Sequence, residues 1–502
     1  QKYIVDTLFK EKNWDPVMMT ANHLESIATQ IKEAFPSCVQ QNSLRLRRAE
    51  FDYTKVGPMV PIDAIVVENL SKYELSFLGN FQDTTEWNYN FIERRRFYYD
   101  MLNYWNTVIH HLKPDLFVSF TWPHTPTCYS LYLLCKHHYM IPVIFLDPVP
   151  LLNANTHLIG TFLEKLHAPI VNVYSSDEKL TLSTEAKKYL NTVRSPNVKS
   201  PHHILKVYQQ SVRNSQGFRI KSLISILIRM LKNGGISPDA GLAWKKNREP
   251  YYSRNSKLSE WEHFWFNLRT RSRNRKLQTS YNVLCKKPDF KRKFLYFAAS
   301  YQPEATTSPN AGVYEDFFLV LDILSSAIPS EWVIYYKENP TIFNASPWAR
   351  GSMRRDKHYF EKINSYSNIQ MVSTDTSTFK LIDNAQAIAS VSGTVAWEAA
   401  LRNKPVLAFG NAWYMGCKSI LHISTLEEAK TAIKQILNNF VPDQRDLDRY
   451  AAAIEKVGVK GMIHRKFHEN IKICKNPEIE MKRVVDAIYS AYIRDYSDEI
   501  NK

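Results

Sequence analysis

The chain has 502 residues, 44% of them hydrophobic and 13% aromatic, which is enough to bury more than one core and unlike a disordered or fibrous sequence. Only 14 are glycine, and neither G-x-G-x-x-G nor G-x-x-x-x-G-K-[ST] occurs, so the usual support for a dinucleotide or P-loop site is missing. The net charge of +16 is concentrated: between Lys199 and Lys293 there are 22 Lys/Arg and five acids, a local +17, which leaves the rest of the chain near −1.

Residues 1–195 read as an α/β unit. The stretch 62–68 is strand-like, and 91–112 is a helical pattern dense in aromatics. A strand at 114–120, a helix at 128–139 and a strand at 142–146 follow. Strands alternating with helices predict βαβ units and a parallel sheet. The six cysteines (38, 128, 135, 285, 417 and 474) form no C-x-x-C pair, and Cys128 and Cys135 fall in an apolar helical run as buried free thiols. That usage fits a reducing compartment and predicts no structural zinc. No run of 18 apolar residues exists, since the nearest, 223–231, carries Arg229. With no signal-peptide pattern, the expectation is a soluble, cytoplasmic protein.

Residues 196–293 form a basic linker or insertion. Ile204, Val207, Tyr208, Val212, Leu223, Ile224, Leu227 and Ile228 are spaced as on one or two amphipathic helices, stopped by Asn233-Gly234-Gly235. An irregular stretch is expected from there to about Trp261. A second α/β unit then spans 294–440. Its strands are predicted at 294–299, 332–337, 369–372, 387–391 and 405–409, with helices at 313–328, 378–384 and 394–402. Two such units predict a bilobed, Rossmann-like α/β protein with a cleft. Residues 441–502 are charged and helical, with no strand signal.

Three strand-like runs of the second unit end in polar residues or a turn: Tyr301-Gln302-Pro303-Glu304, then Lys337-Glu338-Asn339-Pro340, then Ser392-Gly393-Thr394. In open parallel sheets, ligands bind at the carboxyl ends of strands, so three endings from one sheet can meet one ligand. Ser392, Gly393 and Thr394 at a helix start offer N–H groups and hydroxyls to an anion, and Glu398, one turn further in, offers a carboxylate to two sugar hydroxyls. The plainer alternative is that Ser392 and Thr394 only cap the helix. Lys337 supplies positive charge suited to a phosphate, or is a solvated surface lysine. In the first unit, Ser119-Phe120-Thr121-Trp122-Pro123-His124 ends a strand, making His124 a candidate acceptor contact or general base. Asp446-Leu447-Asp448 is a D-x-D, read as solvated surface on a helix where alternate residues diverge. The doublets His110-His111, His137-His138 and His202-His203 lack partners at ligand spacing, so no metal site is expected.

The sequence Ser392-Gly393-Thr394-x-x-x-Glu398, followed by Lys404-Pro405-Val406, resembles the donor-nucleotide site of GT-B glycosyltransferases. Together with Tyr301-Gln302-Pro303-Glu304 and Lys337-Glu338-Asn339-Pro340 it is similar, more narrowly, to bacterial capsular-polysaccharide synthesis proteins over about 294–415. That family includes transferases of Kdo, an acidic sugar donated from CMP-Kdo. The resemblance implies that Glu304 is the catalytic carboxylate, a nucleophile in a retaining double displacement, with Gln302 beside it as a donor-binding residue. It also implies that Asn339-Pro340 stands where the family has a His-Pro pair at the donor phosphate. Here the sequence departs from the pattern, because Asn donates a hydrogen bond but carries no charge and transfers no proton. The implied substrates are a nucleotide sugar and a glycan or glycolipid acceptor, with no cofactor and no metal. The rival readings are another CMP- or UDP-sugar donor in the same site, or a catalytically silent nucleotide-binding scaffold.

The basic block at 199–293 predicts docking on an anionic inner-membrane surface. An acidic polysaccharide is the second expectation. Nucleic acid is not expected, since no recognised module accompanies the charge.

Overall fold

The computed structural model describes residues 2–21, 28–84, 90–149, 156–196, 198, 260–302, 307–343, 354–461 and 476–500. It divides into two compact units. One is Gln1–Phe81 with Tyr89–Leu182 and Ala451–Lys502, and the other is Gln82–Asn88 with Ser183–Tyr450. The boundary thus falls earlier than 195, and residues 451–502 join the first unit rather than standing apart. The helical pattern at 203–231 lies outside the described residues.

The first unit holds a parallel pair, β1 (Met18–Ala21) and β2 (Val39–Asn42), and a sheet containing β3 (Phe117–Ser119), β4 (Val143–Pro148) and β5 (Thr156–Gly160). β3 and β4 are parallel, joined through helix Pro126–His137 as a βαβ unit, but β5 runs antiparallel to β4. The sheet is therefore mixed, not parallel as expected. Gly160 faces Phe145 across that antiparallel pair, and a Cβ there would sit 2.3 Å from the Phe145 ring. Ile144 and Leu146 pack with Ile159 against Ile4, Leu8, Val484, Val485 and Ile488, which belong to helices Lys2–Lys12 and Pro477–Ile500. Phe145, on the opposite face, meets Trp122 at 5.1 Å. The stretch 62–68 is not a strand. Asp63 accepts the Val66 N–H at 3.1 Å, and helix Ala64–Thr84 starts there.

The second unit is an all-parallel, six-stranded sheet. Its strands are β6 (Phe294–Ala298), β7 (Val333–Lys337), β8 (Ile369–Met371), β9 (Ala387–Ser390), β10 (Val406–Ala408) and β11 (Leu421–His422), in the spatial order β11-β10-β9-β6-β7-β8. Counted from β6, this is the doubly wound order 3-2-1-4-5-6 of Rossmann folds. Every residue of β6, β7, β9 and β10 is buried, as expected where helices cover both faces of a parallel sheet. Helix Phe317–Ala327 starts where Asp316 accepts the Phe318 N–H, and helix Thr378–Asn384 where Ser377 accepts that of Lys380. The expected helix 313–328 is thus divided, with a 3-10 turn, Gly312–Glu315, before it.

A 25-residue helix, Glu260–Leu284, occupies the carboxyl-terminal part of the basic segment, much of it where no element was expected. Its Leu277 and Tyr281 are buried in the second unit's core, with Leu284 packed against it. The chain returns to the first unit with β12 (Val459–Lys460), a short strand antiparallel to β5 in the region expected to have none.

Candidate active site

The order of the second sheet puts its switch point between β6 and β9, with β7 on the far side of β6. The three polar endings therefore belong to three adjacent strands. Ala298 pairs with Lys337, and one step before it Phe297 pairs with Ala389, so Ala298, Lys337 and Ser390 lie level across the sheet.

At the β9 end, Ser392 is buried and Gly393 follows. A Cβ on Gly393 would lie 3.1 Å from Ser390 Oγ and 3.2 Å from Ser300 Oγ, so the backbone there is tightly flanked by two hydroxyls. Ser390 Oγ accepts the Gly393 N–H at 3.3 Å, and Tyr414 donates to the Gly393 carbonyl at 2.9 Å. Thr394 opens helix Val395–Leu401 in the helical conformation and makes no capping hydrogen bond, which removes the plainer reading for that residue. Ser300 Oγ and Asn310 Oδ1 are buried and have no hydrogen-bond partner among the described residues. Buried polar atoms are rarely left so, and these two are the kind of group a bound ligand satisfies. The strand-end reading passed over both residues. Ser300 was within reach of it, since it is the first polar residue after β6.

Glu398 is nearly fully buried. Loss of water pushes its carboxyl up to about 8, with the Arg402 charge pulling the other way. Arg402 is itself committed, pairing with both Asp383 oxygens at 2.6 Å and donating to the Val193 and Ser195 carbonyls at 2.8 Å. Tyr189 and Tyr296 feel the Glu398 charge.

At the β7 end, Lys337 is neither solvated nor turned to an open edge. Its Nζ donates to Thr376 O at 2.6 Å and Thr378 Oγ1 at 2.9 Å, tying β7 to the start of helix Thr378–Asn384. Burial lowers its ammonium to about 8, against a raising effect from Asp375. Asn339 Oδ1 accepts from the Thr341 N–H at 3.0 Å and the Thr341 hydroxyl at 2.6 Å, so the carbonyl end of the amide caps its own turn. The Asn339 Nδ2 donates to nothing among the described residues. Pro340 is exposed and begins the 3-10 turn Pro340–Phe343.

Gln302, at the β6 end, is 1% exposed. Its Oε1 accepts from Arg355 Nη1 at 2.7 Å and its Nε2 donates to Glu315 O at 2.6 Å. A side chain so engaged supports the strand ending rather than touching a ligand. Glu304, expected to be catalytic, lies outside the described residues. The sequence reading did not reach Arg355 or Glu338. Arg355 is remote from the motifs along the chain, and Glu338 is a motif residue whose partner is that arginine.

His124 belongs to the first unit. Its Nδ1 lies 2.6 Å from the Trp122 carbonyl, which can only accept, so the proton sits on Nδ1 and Nε2 is the basic nitrogen. Burial, with a smaller effect of the Arg47 charge, lowers its proton affinity, opposed by the bond to Trp122. The D-x-D is not solvated surface. Asp446 accepts from Ser419 Oγ at 2.6 Å and Ser419 N at 3.0 Å, and Asp448 pairs with Arg194 at 2.7 Å.

Residues 308–434 match the family described as capsule polysaccharide biosynthesis protein. No curated protein matches the chain. Among solved structures it is similar to two transferases of Thermosulfurimonas dismutans KpsC. The beta Kdo 2,7 transferase is 12% identical, with TM-score 0.23 over 44% of this chain and 61% of that one, so this chain spans less than two thirds of its length. The beta Kdo 2,4 transferase is 11% identical, with TM-score 0.27 over 67% and 78%. The UDP-GlcNAc 2-epimerase of Methanocaldococcus jannaschii is 13% identical, with TM-score 0.24 over 88% and 98%.

Proposed function

From the match of residues 308–434 to the capsule polysaccharide biosynthesis family, we propose that the chain is a GT-B-type glycosyltransferase moving an acidic sugar, Kdo from CMP-Kdo, onto a growing surface glycan or glycolipid. The observation that carries the reading is the adjacency of β9, β6 and β7, which brings three polar strand endings to the switch point of one doubly wound sheet.

In this reading the donor occupies the second unit. Ser392, Gly393 and Thr394, with the orphaned Ser300 hydroxyl, meet the nucleotide, and Asn339 Nδ2 donates to its phosphate. The Glu304 carboxylate attacks the anomeric carbon as the bond to the phosphate oxygen breaks, and CMP leaves. The acceptor hydroxyl then attacks the same carbon, the ester to Glu304 breaks, and a general base takes the hydroxyl proton. Hydrogen-bond donors meet the charge on the departing phosphate, so the step is proposed to need no metal.

Incubation with CMP-Kdo tests this directly. CMP is expected to appear with the wild type and not with Glu304→Gln, and equal release by both overturns the assignment of Glu304. Calorimetry with CMP, UDP and GDP fixes the donor class, with CMP expected to bind most tightly. A scaffold reading is favoured by Asn339, an uncharged residue whose carbonyl is already spent on Thr341. Nucleotide binding without release from any nucleotide sugar is its signature.

A further inference from the structure

The strongest feature outside the residues so far given a role is a pair of adjacent arginines. Arg355 is buried to 1% exposure and Glu338, its partner, to 0%. Arg355 Nε and Nη2 reach the two oxygens of that carboxylate at 2.8 and 3.3 Å, and Nη1 reaches Gln302 Oε1 at 2.7 Å. The guanidinium lies over the Tyr359 ring at 4.4 Å and within 5.2 Å of the Phe317 ring. Glu338 also accepts the Tyr336 hydroxyl at 2.8 Å and the Asn339 N–H at 2.9 Å. One planar cation therefore joins the end of β6, through Gln302, to the end of β7, through Glu338 and the backbone of Asn339.

Arg354 does a related job one residue earlier. Its Nη2 donates to Ser308 Oγ at 3.0 Å and its Nη1 pairs with Glu315 at 3.4 Å. Ser308 Oγ donates to the other oxygen of Glu315 at 2.7 Å, and Thr307 Oγ1 donates to the Tyr301 carbonyl at 3.0 Å. Gln302 and Ser308 are the partners of Arg355 and Arg354.

A buried ion pair is a poor device for stability alone, because well-packed apolar residues of similar volume often serve as well or better. Its particular strength is direction. The five guanidinium donors have fixed angles, and here three of them are divided between two strand endings. We propose that Arg355, assisted by Arg354, is a positioning residue that fixes the β6 and β7 endings at the spacing donor turnover requires. This rests on the glycosyltransferase reading above.

Three variants of the full chain test it. Gln302→Leu cuts the link to β6 and leaves the buried ion pair intact. Arg354→Gln removes the partly exposed half of the clamp. Arg355→Lys keeps the charge and loses the fork. At saturating CMP-Kdo, CMP release by Gln302→Leu is expected to fall about ten- to a hundredfold, as for a small misplacement of reacting groups. CMP affinity by calorimetry should change by no more than roughly twofold, a loss in kcat rather than in binding. Arg355→Lys is expected to give no rescue. Gln302→Leu and Arg354→Gln turning over at the wild-type rate, or losing rate only in step with melting temperature and nucleotide affinity, overturns the clamp alone. A wild type that releases no CMP overturns the donor reading, and this inference with it.

Discussion

Glu398 and Lys337 are both buried, and for each the loss of water is the largest influence on its proton affinity. For Glu398 the folded value is about 8 against an ordinary 4.5, so its contribution to stability is full below about 4.5 and is lost as pH rises through 8. Lys337 runs the other way, from 10.5 to about 8: its contribution is full above 10.5 and is lost as pH falls through 8. The two windows adjoin without overlapping. Replacing Glu398 with glutamine keeps the shape and removes the titration. The wild type should therefore lose melting temperature between pH 5 and 8, while Glu398→Gln stays flatter. The difference between them is of the order of a few kcal/mol at pH 8. Parallel melting curves across that range would show that Glu398 ionises freely in the folded chain.

At the scale of elements, helix Glu260–Leu284 is tied to the site by the Tyr281 phenol, alongside a bond from Arg273 to the Arg355 carbonyl at 3.2 Å. Tyr281 donates to the Val372 carbonyl at 2.5 Å and accepts the Glu338 N–H at 3.0 Å. Tyr281→Phe leaves both backbone groups buried and unpaired, and is expected to destabilise the second unit by about 1–3 kcal/mol. Urea unfolding followed by fluorescence measures this, and an unchanged midpoint would mean that water replaces the phenol. The sequence predicts five of the six strands of this unit, because β6, β7, β9 and β10 are apolar runs buried on both faces, and it misses the two-residue β11. It did not predict this helix, whose few core-facing residues (Leu277, Tyr281, Leu284) follow a run of Arg and Lys and are separated by Gln, Thr, Ser, Asn and the exposed Val283. The run 62–68 looked like a strand because Ile62, Ile65, Val66 and Val67 are β-branched, but the carboxylate of Asp63 caps a helix there. Gln302 was assigned to the ligand because sequence shows a motif and not what fills the space beside it, which is Arg355.

Across the whole molecule, charge and fold are divided differently. The excess of positive charge belongs to 199–293, while the strand endings belong to the strongly apolar sheet of the second unit. Among the described residues no helix is long and apolar enough to cross a membrane. The expected docking of the basic block on an anionic surface is a contact between opposite charges, and such contacts weaken with salt. Sedimentation with vesicles should recover the chain when anionic lipid is present and leave it in solution with neutral lipid or at high salt. Recovery indifferent to lipid charge would end the membrane-docking proposal.

The first unit is assembled from both ends of the chain. Trp14, just after helix Lys2–Lys12, meets Tyr492 at 5.1 Å, and Ile4 and Leu8 share a cluster with Val484, Val485 and Ile488. During synthesis the second unit, complete by Tyr450, is available to fold while the first still lacks its last helix. At ribosomal speeds the amino-terminal helix waits for that partner for roughly tens of seconds. Until then Ile144, Leu146 and Ile159 are the members of that cluster available to Ile4 and Leu8, and the surface that Val484, Val485 and Ile488 cover stays open.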